Sequence, residues 1–173
     1  MAAWSIQGAP RACRSSWSKS GNWGATKHAG PYFVAAAPIV YCTAKVNSKG
    51  CTPQIAFSGT PSVSGGAFKV SVSKVLNQKN GLLFWGLGAN NAPFQGGTLC
   101  VAPPTVRTSA QGTGGNPPPN DCTGSMSFTW TQAYLASVGL TAGDTAFCQF
   151  WYRDPGSPST TGLSDAVQFT LCQ

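Results

Sequence analysis

The stretch Ala67-Phe68-Lys69-Val70-Ser71-Val72-Ser73 alternates apolar and polar residues without a break. Since successive side chains of a β-strand point to opposite faces, this pattern directs one face to a core and the other to solvent. The alternation recurs at 126–131 and at 165–171. Half-buried strands of this kind predict an all-β fold with antiparallel sheets.

The remaining strand signals are short apolar or aromatic runs separated by glycine, proline and serine, at 39–46, 82–87, 98–102 and 146–153. One helix is predicted over 132–138, because Gly139 follows it where a left-handed cap would end it. Short strands with this punctuation predict an antiparallel β-sandwich of about seven or eight strands with disulfide-stapled loops.

The composition of the chain changes near residue 38. Residues 1–38 carry three tryptophans among serine, glycine and basic residues, with neither helical nor strand periodicity. We therefore expect 1–38 to be a poorly ordered or remnant N-terminal segment and 39–173 to be the β-sandwich domain.

Six of the seven cysteines fall within the predicted domain: Cys42, Cys51, Cys100, Cys122, Cys148 and Cys172. An even set predicts disulfides, which persist in oxidising compartments and not in the cytosol. We therefore expect a secreted or cell-surface protein, with Cys13 left over. Six cysteines allow 15 pairings. The pairing that we favour joins neighbours in the chain: Cys42–Cys51, Cys100–Cys122 and Cys148–Cys172.

A long segment from Pro103 to Asp121 is rich in glycine and proline. Structureless loops of this length are uncommon inside a domain unless they are functional or tied down. In the predicted pairing, a Cys100–Cys122 bridge closes this loop and stabilises the fold by about 3 kcal/mol in the chain-entropy model.

The formal net charge is +7, from 11 basic and four acidic residues. The basic residues beyond residue 41 stand singly and form no stripe that could follow phosphates, so we expect no nucleic-acid partner. No apolar run reaches the roughly 20 residues of a membrane span. Because we find no export signal in a chain of exported type, we expect the C-terminal piece of a longer exported protein.

Side chains able to carry catalysis are few. His28 is the single histidine, and the acidic residues are four aspartates in turn-like contexts, where Asp ordinarily bonds local backbone: Asp121, Asp144, Asp154 and Asp165. No zinc-ligand spacing or phosphate-binding loop occurs. We predict no catalytic residue, no metal site and no cofactor. Calcium held by loop carbonyls near Asp144 or Asp154 is the alternative.

The sequence predicts ligand binding by aromatic surface, at Trp85, Trp151, Tyr152 and Arg153. A ring stacked on a sugar combines apolar burial with a hydrogen-bonding edge. Alternation requires at least half of these rings to fill the core, so we expect burial of Trp85 and of either Trp151 or the Phe150/Tyr152 pair. A local pair with Asp154 is the alternative role of Arg153.

Four stretches carry a family resemblance: 41–53 (YCTAKVNSKGCTP), 93–101 (PFQGGTLCV), 115–122 (GNPPPNDC) and 152–159 (YRDPGSPS). In these the chain resembles a C-terminal domain of large exported proteins of environmental bacteria, planctomycete-type proteins especially. The resemblance covers roughly 40–173 and leaves 1–38 outside. It supplies no catalytic residues and implies an appended extracellular domain.

The function expected from the sequence is a non-catalytic extracellular module for adhesion or polysaccharide binding at the cell surface. One alternative is a hydrolase domain that acts on an extracellular polymer through an aspartate-based site. The other is a purely structural cap that protects the last edge of a longer β-rich array.

Overall fold

Residues 36–173 form antiparallel β-sheets with one short helix, and the computed structural model describes this part of the chain. In chain order the elements are β1 (Ile39–Tyr41), β2 (Gln54–Ser58), β3 (Phe68–Val75), β4 (Asn80–Gly86), β5 (Ala89–Phe94), β6 (Gly97–Val101), β7 (Val106–Arg107), β8 (Gln111–Gly112), β9 (Gly124–Trp130), α1 (Gln132–Ser137), β10 (Thr145–Arg153) and β11 (Thr161–Thr170). The predictions for 1–35, including those for Cys13 and His28, lie outside the described residues.

The strands are arranged in a large sheet, a small sheet and a separate hairpin. The large sheet has the order β1-β11-β10-β4-β7, with β8 also pairing β4. The small sheet has the order β2-β3-β9, and β5 and β6 form the hairpin. Every pairing between these strands is antiparallel, which confirms the predicted all-β fold with antiparallel sheets.

The two sheets contribute side chains to one hydrophobic core. Aromatic rings from the two sheets are in contact. The ring centroids of Trp85 (β4) and Trp130 (β9) are 5.6 Å apart, and those of Phe68 (β3) and Phe169 (β11) are 4.7 Å apart. Phe68, like Val70 and Val72, is buried, so the alternation at 67–73 directs its apolar face to this core as predicted.

The observed elements differ in extent from the predicted ones. The predicted run 39–46 is a strand only to Tyr41, because Cys42 has a left-handed φ of 71° that ends the extended conformation. The predicted helix is confirmed as α1, with Thr131 capping its start and Gly139 at φ 74° after its end. Eleven strands occupy residues 36–173, more than the seven or eight predicted, and two of these strands have only two residues.

The predicted disulfide pairing is wrong. The bridges within the described residues are Cys42–Cys100 and Cys51–Cys122. The reason is topological, since the segment from β1 to β2 and the segment from β6 to β9 each cross from one layer to another. Cys42 and Cys51 therefore lie beside different sheets, as do Cys100 and Cys122, and each of these four pairs with a cysteine that is distant in the sequence.

Cys148 corrects the prediction further, because it is a free, fully buried thiol. It lies opposite Val167 on the neighbouring strand, and Cys172 follows five residues after Val167. That separation amounts to roughly 16 Å, whereas a disulfide needs Cα atoms closer than about 7 Å. Cys172 is disulfide-bonded, but not to Cys148.

The long segment 103–121 is held in place without the predicted Cys100–Cys122 bridge. Its strands β7 and β8 add to β4 at the edge of the large sheet. The buried Asn77 side chain donates to the carbonyl of Asn116 (2.8 Å) and accepts from the backbone N–H of Asp121 (2.7 Å). The Cys51–Cys122 bridge then fixes the C-terminal end of the segment.

Candidate functional site

The outer face of the large sheet carries the candidate site, and strand parity in β10 decides which side chains reach it. Phe150 and Tyr152 are fully buried in the shared core. Trp151 and Arg153 point the opposite way, as alternate residues of a strand must. Trp151 is half-buried and Arg153 is exposed.

The β5–β6 hairpin packs on part of this outer face. A second, smaller hydrophobic cluster forms beneath it around the buried side chains of Phe84, Val101 and Leu163. Trp151 and Phe94 are among the partly buried side chains that pack against this cluster. The hairpin therefore covers part of the outer face. Trp151 lies next to the turn of the hairpin, where it contacts Gln95.

Gln149 fixes the hairpin to the sheet. Its side chain is fully buried, accepts from the backbone N–H of Cys100 (3.0 Å) and donates to the carbonyl of Thr98 (3.0 Å). The Cys42–Cys100 bridge adds a covalent link at the same point. The hydroxyl of Tyr41 donates to the Cys100 carbonyl at 2.5 Å, and burial raises its pKa.

Lys45 holds the turn of the hairpin. Its ammonium has three N–H donors and lies within hydrogen-bond distance of four oxygens: the carbonyls of Gln95 (2.9 Å) and Thr161 (2.7 Å) and the hydroxyls of Ser157 (2.8 Å) and Ser159 (2.6 Å). All four acceptors are uncharged, so no acidic group among the described residues pairs with this ammonium.

A concave space of about 440 Å³ lies between the hairpin and the outer face. We call it the Trp151 groove; its lining includes Trp151, the apolar Leu82, Phe84, Phe94 and Leu99, and the two arginines Arg107 and Arg153. Small-ligand sites are commonly concavities of roughly this size, mostly apolar with a few polar groups. Hydroxyls and amides, among them Gln95, Thr105 and Thr161, form its polar part.

Two contacts orient the Trp151 ring. Its indole N–H donates to the side-chain carbonyl of Gln95 at 3.0 Å. The guanidinium carbon of Arg153 lies 5.4 Å from the ring centroid, over its face. An exposed cation–π contact of this kind contributes only about 0.5–1 kcal/mol, so a ligand can displace it.

Two of the four residues predicted to bind a ligand are buried in the core. Trp85 and Tyr152 are 4% and 0% exposed. The predicted ligand role is therefore wrong for both, because a ligand outside the sheet cannot reach them. Burial also raises the pKa of the Tyr152 phenol. For Trp151 and Arg153, which the structure brings together in the groove, ligand binding stays a prediction.

Sequence reasoning missed the groove residues that come from other elements. Arg107 and Gln95 lie in segments read as a long loop and as a connection between strands. Phe84 belongs to the apolar run 82–87, in which Leu83, Phe84 and Trp85 are all buried, so the sequence carries no signal for which of these side chains face the groove.

None of the four aspartates lines the groove. Asp121 and Asp144 bond local backbone as predicted, whereas Asp154 and Asp165 accept from backbone N–H groups more than 100 residues away in the sequence. Asp144 accepts from the backbone N–H of Thr141, and Asp165 from that of Ile55. Hydrogen bonds from Thr123 lower the pKa of Asp121, whereas burial raises the pKa of Asp165. No cluster of three or more metal-ligating His, Cys, Asp or Glu side chains occurs within 36–173.

Asp154 is buried at the end of β10 and connects two turns. One carboxylate oxygen accepts from the backbone N–H of Ser48 at 2.8 Å. The other oxygen and the Tyr152 hydroxyl have no hydrogen-bond partner among the described residues. The Asn47 side chain faces the phenol and opposes the rise in its pKa, but the two groups lack regular hydrogen-bond geometry.

Comparison of the chain with protein-family models, with curated proteins and with solved structures gives no match. Among residues 36–173 no helix has the length and apolar character needed to cross a membrane.

Proposed function

We propose that this chain is a secreted, non-catalytic module that binds polysaccharide in the Trp151 groove. The observation that carries the proposal is the half-buried Trp151 ring in a concave site with apolar walls and a polar part. A sugar ring has an apolar face and hydroxyl edges, so it matches a site that offers an aromatic plate beside hydrogen-bonding groups.

The contacts that fix the hairpin support a binding site that is already formed in the absence of ligand. A disulfide, the buried Gln149 side chain and the Lys45 ammonium all fix the hairpin before any ligand arrives. A site that is ordered in advance loses less conformational entropy on binding. The two disulfides within the described residues favour an oxidising compartment, in agreement with a module exposed outside the cell.

The hydrolase alternative finds no support in the groove. Glycoside cleavage in its usual form needs two carboxylates beside the scissile bond. The groove has none, because the four aspartates lie elsewhere in hydrogen bonds of their own. We therefore assign binding, and no reaction, to this site.

The test is affinity gel electrophoresis against a panel of soluble polysaccharides, followed by a glycan array. Trp151→Ala should abolish the retardation of the wild-type protein. Phe57→Ala is the matched control, since Phe57 is a partly exposed ring on β2 of the small sheet. Equal binding by wild type and Trp151→Ala, or no binding to any glycan, would overturn the proposal.

A further inference from the structure

The charges around the Trp151 groove are of one sign. Arg107 and Arg153 line it, and the ammonium of Lys45 bonds Gln95, Ser159 and Thr161, which line it as well. No aspartate lines it, and the chain has no glutamate. A concave site with apolar walls and charges of one sign concentrates its field on a ligand of the opposite sign.

The two arginines have unused hydrogen-bonding capacity. Within residues 36–173 neither guanidinium forms a hydrogen bond or an ion pair, and Arg153 makes only its contact with the Trp151 ring. A guanidinium offers five N–H donors in a planar fork that matches carboxylate and sulfate groups. Cationic groups that line a groove without acidic partners are free to pair with a ligand.

From this charge and geometry we infer that the ligand of the groove is an acidic polysaccharide, whose carboxylate or sulfate groups pair with Arg107 and Arg153. This inference rests on the proposed function, since it names the class of glycan that the same groove binds. Arg153 leaves the face of Trp151 to pair with the acid group, and a sugar ring then occupies that face. The sugar supplies the apolar contact with Trp151, and the arginines select its charge.

The register of the sheet sets the spacing of the two arginines. Arg107 of β7 lies opposite Phe84 of β4, and Phe84 lies opposite Gln149 of β10. Arg153 follows Gln149 by four residues on β10. It is therefore two strands away from Arg107 across the sheet and four residues away along the strand. With about 4.8 Å between strands and about 3.3 Å per residue, the Cα atoms are roughly 16 Å apart. This distance suits separate acid groups along an extended polymer, so an oligomer should bind better than a single acidic sugar.

The experiment compares pairs of polymers with the same backbone and different charge. Polygalacturonate is set against its fully methyl-esterified form, and dextran sulfate against dextran, by affinity electrophoresis and calorimetry with the full chain. We expect tighter binding to the charged member than to the neutral member of at least one pair. The pair that shows this difference identifies the acid group as carboxylate or as sulfate. Galacturonic acid monomer should compete poorly against the polymer.

The variants separate charge selection from sugar binding. Arg107→Gln/Arg153→Gln should lower affinity for the charged polymer about tenfold or more, as expected for the loss of charge-assisted hydrogen bonds. Arg153→Gln alone should raise affinity for neutral polymers, because it uncovers the Trp151 face. Lys69→Gln/Lys74→Gln is the control with the same loss of charge on β3 of the small sheet.

Each outcome has a defined meaning. Equal affinity for charged and neutral members, unaffected by the arginine variants, overturns the inference and leaves the proposed function standing. Binding of poly-L-glutamate as tight as that of the charged glycan, and independent of Trp151, overturns both, since charge alone would then explain it. Absence of binding to every polymer also overturns both.

Discussion

The indole N–H of Trp151 donates to the side-chain carbonyl of Gln95 at 3.0 Å, which joins the outer face of the large sheet to the turn of the β5–β6 hairpin. Gln95 has a left-handed φ of 49° within that turn. The orientation of the ring therefore depends on a hairpin residue that is more than fifty positions away in the sequence.

Replacing Gln95 by alanine should weaken ligand binding more than it weakens folding. The variant removes the acceptor that orients Trp151, while an exposed hydrogen bond of this type contributes only about 0.5–1.5 kcal/mol to stability. Calorimetry measures the affinity for the glycan that affinity electrophoresis identifies, and urea unfolding measures the free energy of unfolding. Gln132→Ala is the control, since Gln132 makes a similar exposed hydrogen bond to Gly65 on another part of the surface. An equal loss of affinity in both variants would contradict the assignment.

Replacing Lys45 by methionine should destabilise the fold by about 2 kcal/mol, because hydrogen bonds to a charged donor contribute more than neutral ones. Methionine keeps most of the apolar stem but removes the ammonium that donates to the Gln95 and Thr161 carbonyls, of which the Gln95 carbonyl keeps a donor in the Ser159 hydroxyl. Chemical unfolding measures the loss. Lys69→Met should have little effect, since Lys69 is exposed on β3. Similar unfolding midpoints for both variants would show that the Lys45 contacts add nothing.

Peptide mapping under non-reducing conditions should recover linked peptides for Cys42–Cys100 and Cys51–Cys122, with Cys148 as the alkylated cysteine among residues 36–173. Alkylation of Cys148 should occur only after denaturant is added, because burial both shields this thiol and raises its pKa. Rapid alkylation of Cys148 in the native protein, or a peptide linking Cys148 to Cys172, would contradict the structure.

Removal of the two bridges should separate stability from binding. One double variant, Cys42→Ser/Cys100→Ser, removes a bridge between cysteines 58 residues apart. The other, Cys51→Ser/Cys122→Ser, removes a bridge between cysteines 71 residues apart. The chain-entropy model gives a loss of about 4 kcal/mol for each. Only the first bridge holds the hairpin that walls the groove, so only its loss should also lower glycan affinity at temperatures where both variants are folded. Equal losses of affinity in the two variants would contradict this role.

Asp165 should make the protein less stable as pH rises from acid toward neutral. Its pKa in the folded state is raised above the ordinary 3.8, because burial disfavours the charged form. Folding therefore favours the protonated carboxyl, and this contribution is present below the unfolded pKa and lost as pH rises through the folded pKa. The stability of Asp165→Asn relative to wild type should accordingly increase between acidic and neutral pH, measured by urea unfolding.

Asp121→Asn provides the opposite case for the same experiment. Hydrogen bonds from Thr123 lower the pKa of Asp121, so its contribution is present above the unfolded pKa and lost as pH falls through the folded pKa. The stability of this variant relative to wild type should therefore decrease from acidic to neutral pH. Parallel pH profiles for the two variants would contradict the assigned shifts.

The strands that could be predicted are those whose own residues carry the burial pattern. The alternation at 67–73 and at 126–131 corresponds to β3 and β9, which line the shared core. By contrast β5 has the sequence ANNAPF, whose asparagines and proline are typical of turns. It forms a strand because β6 pairs with it and because Gln149 and Lys45 hold the hairpin, which are contacts from distant parts of the chain.

The candidate site was only partly predictable for the same reason. Parity along β10 showed that Trp151 and Tyr152 point to opposite faces, but not which face meets the small sheet. That depends on the Phe150 and Tyr152 rings finding partners in the core. The disulfide pairing depends on which layers meet, and six cysteines in sequence order carry no information on that.

Strand β1 has only three residues, paired with β11 from Ile39↔Gln168 to Tyr41↔Ala166, and the Cys42–Cys100 bridge follows directly. A pulling force that enters the domain at Ile39 can therefore unzip only three residue pairs before it meets a covalent bond. Beyond that point the tension passes into β6 and the hairpin that walls the groove. Under the proposed function, mechanical load on this domain would arrive directly at the binding site.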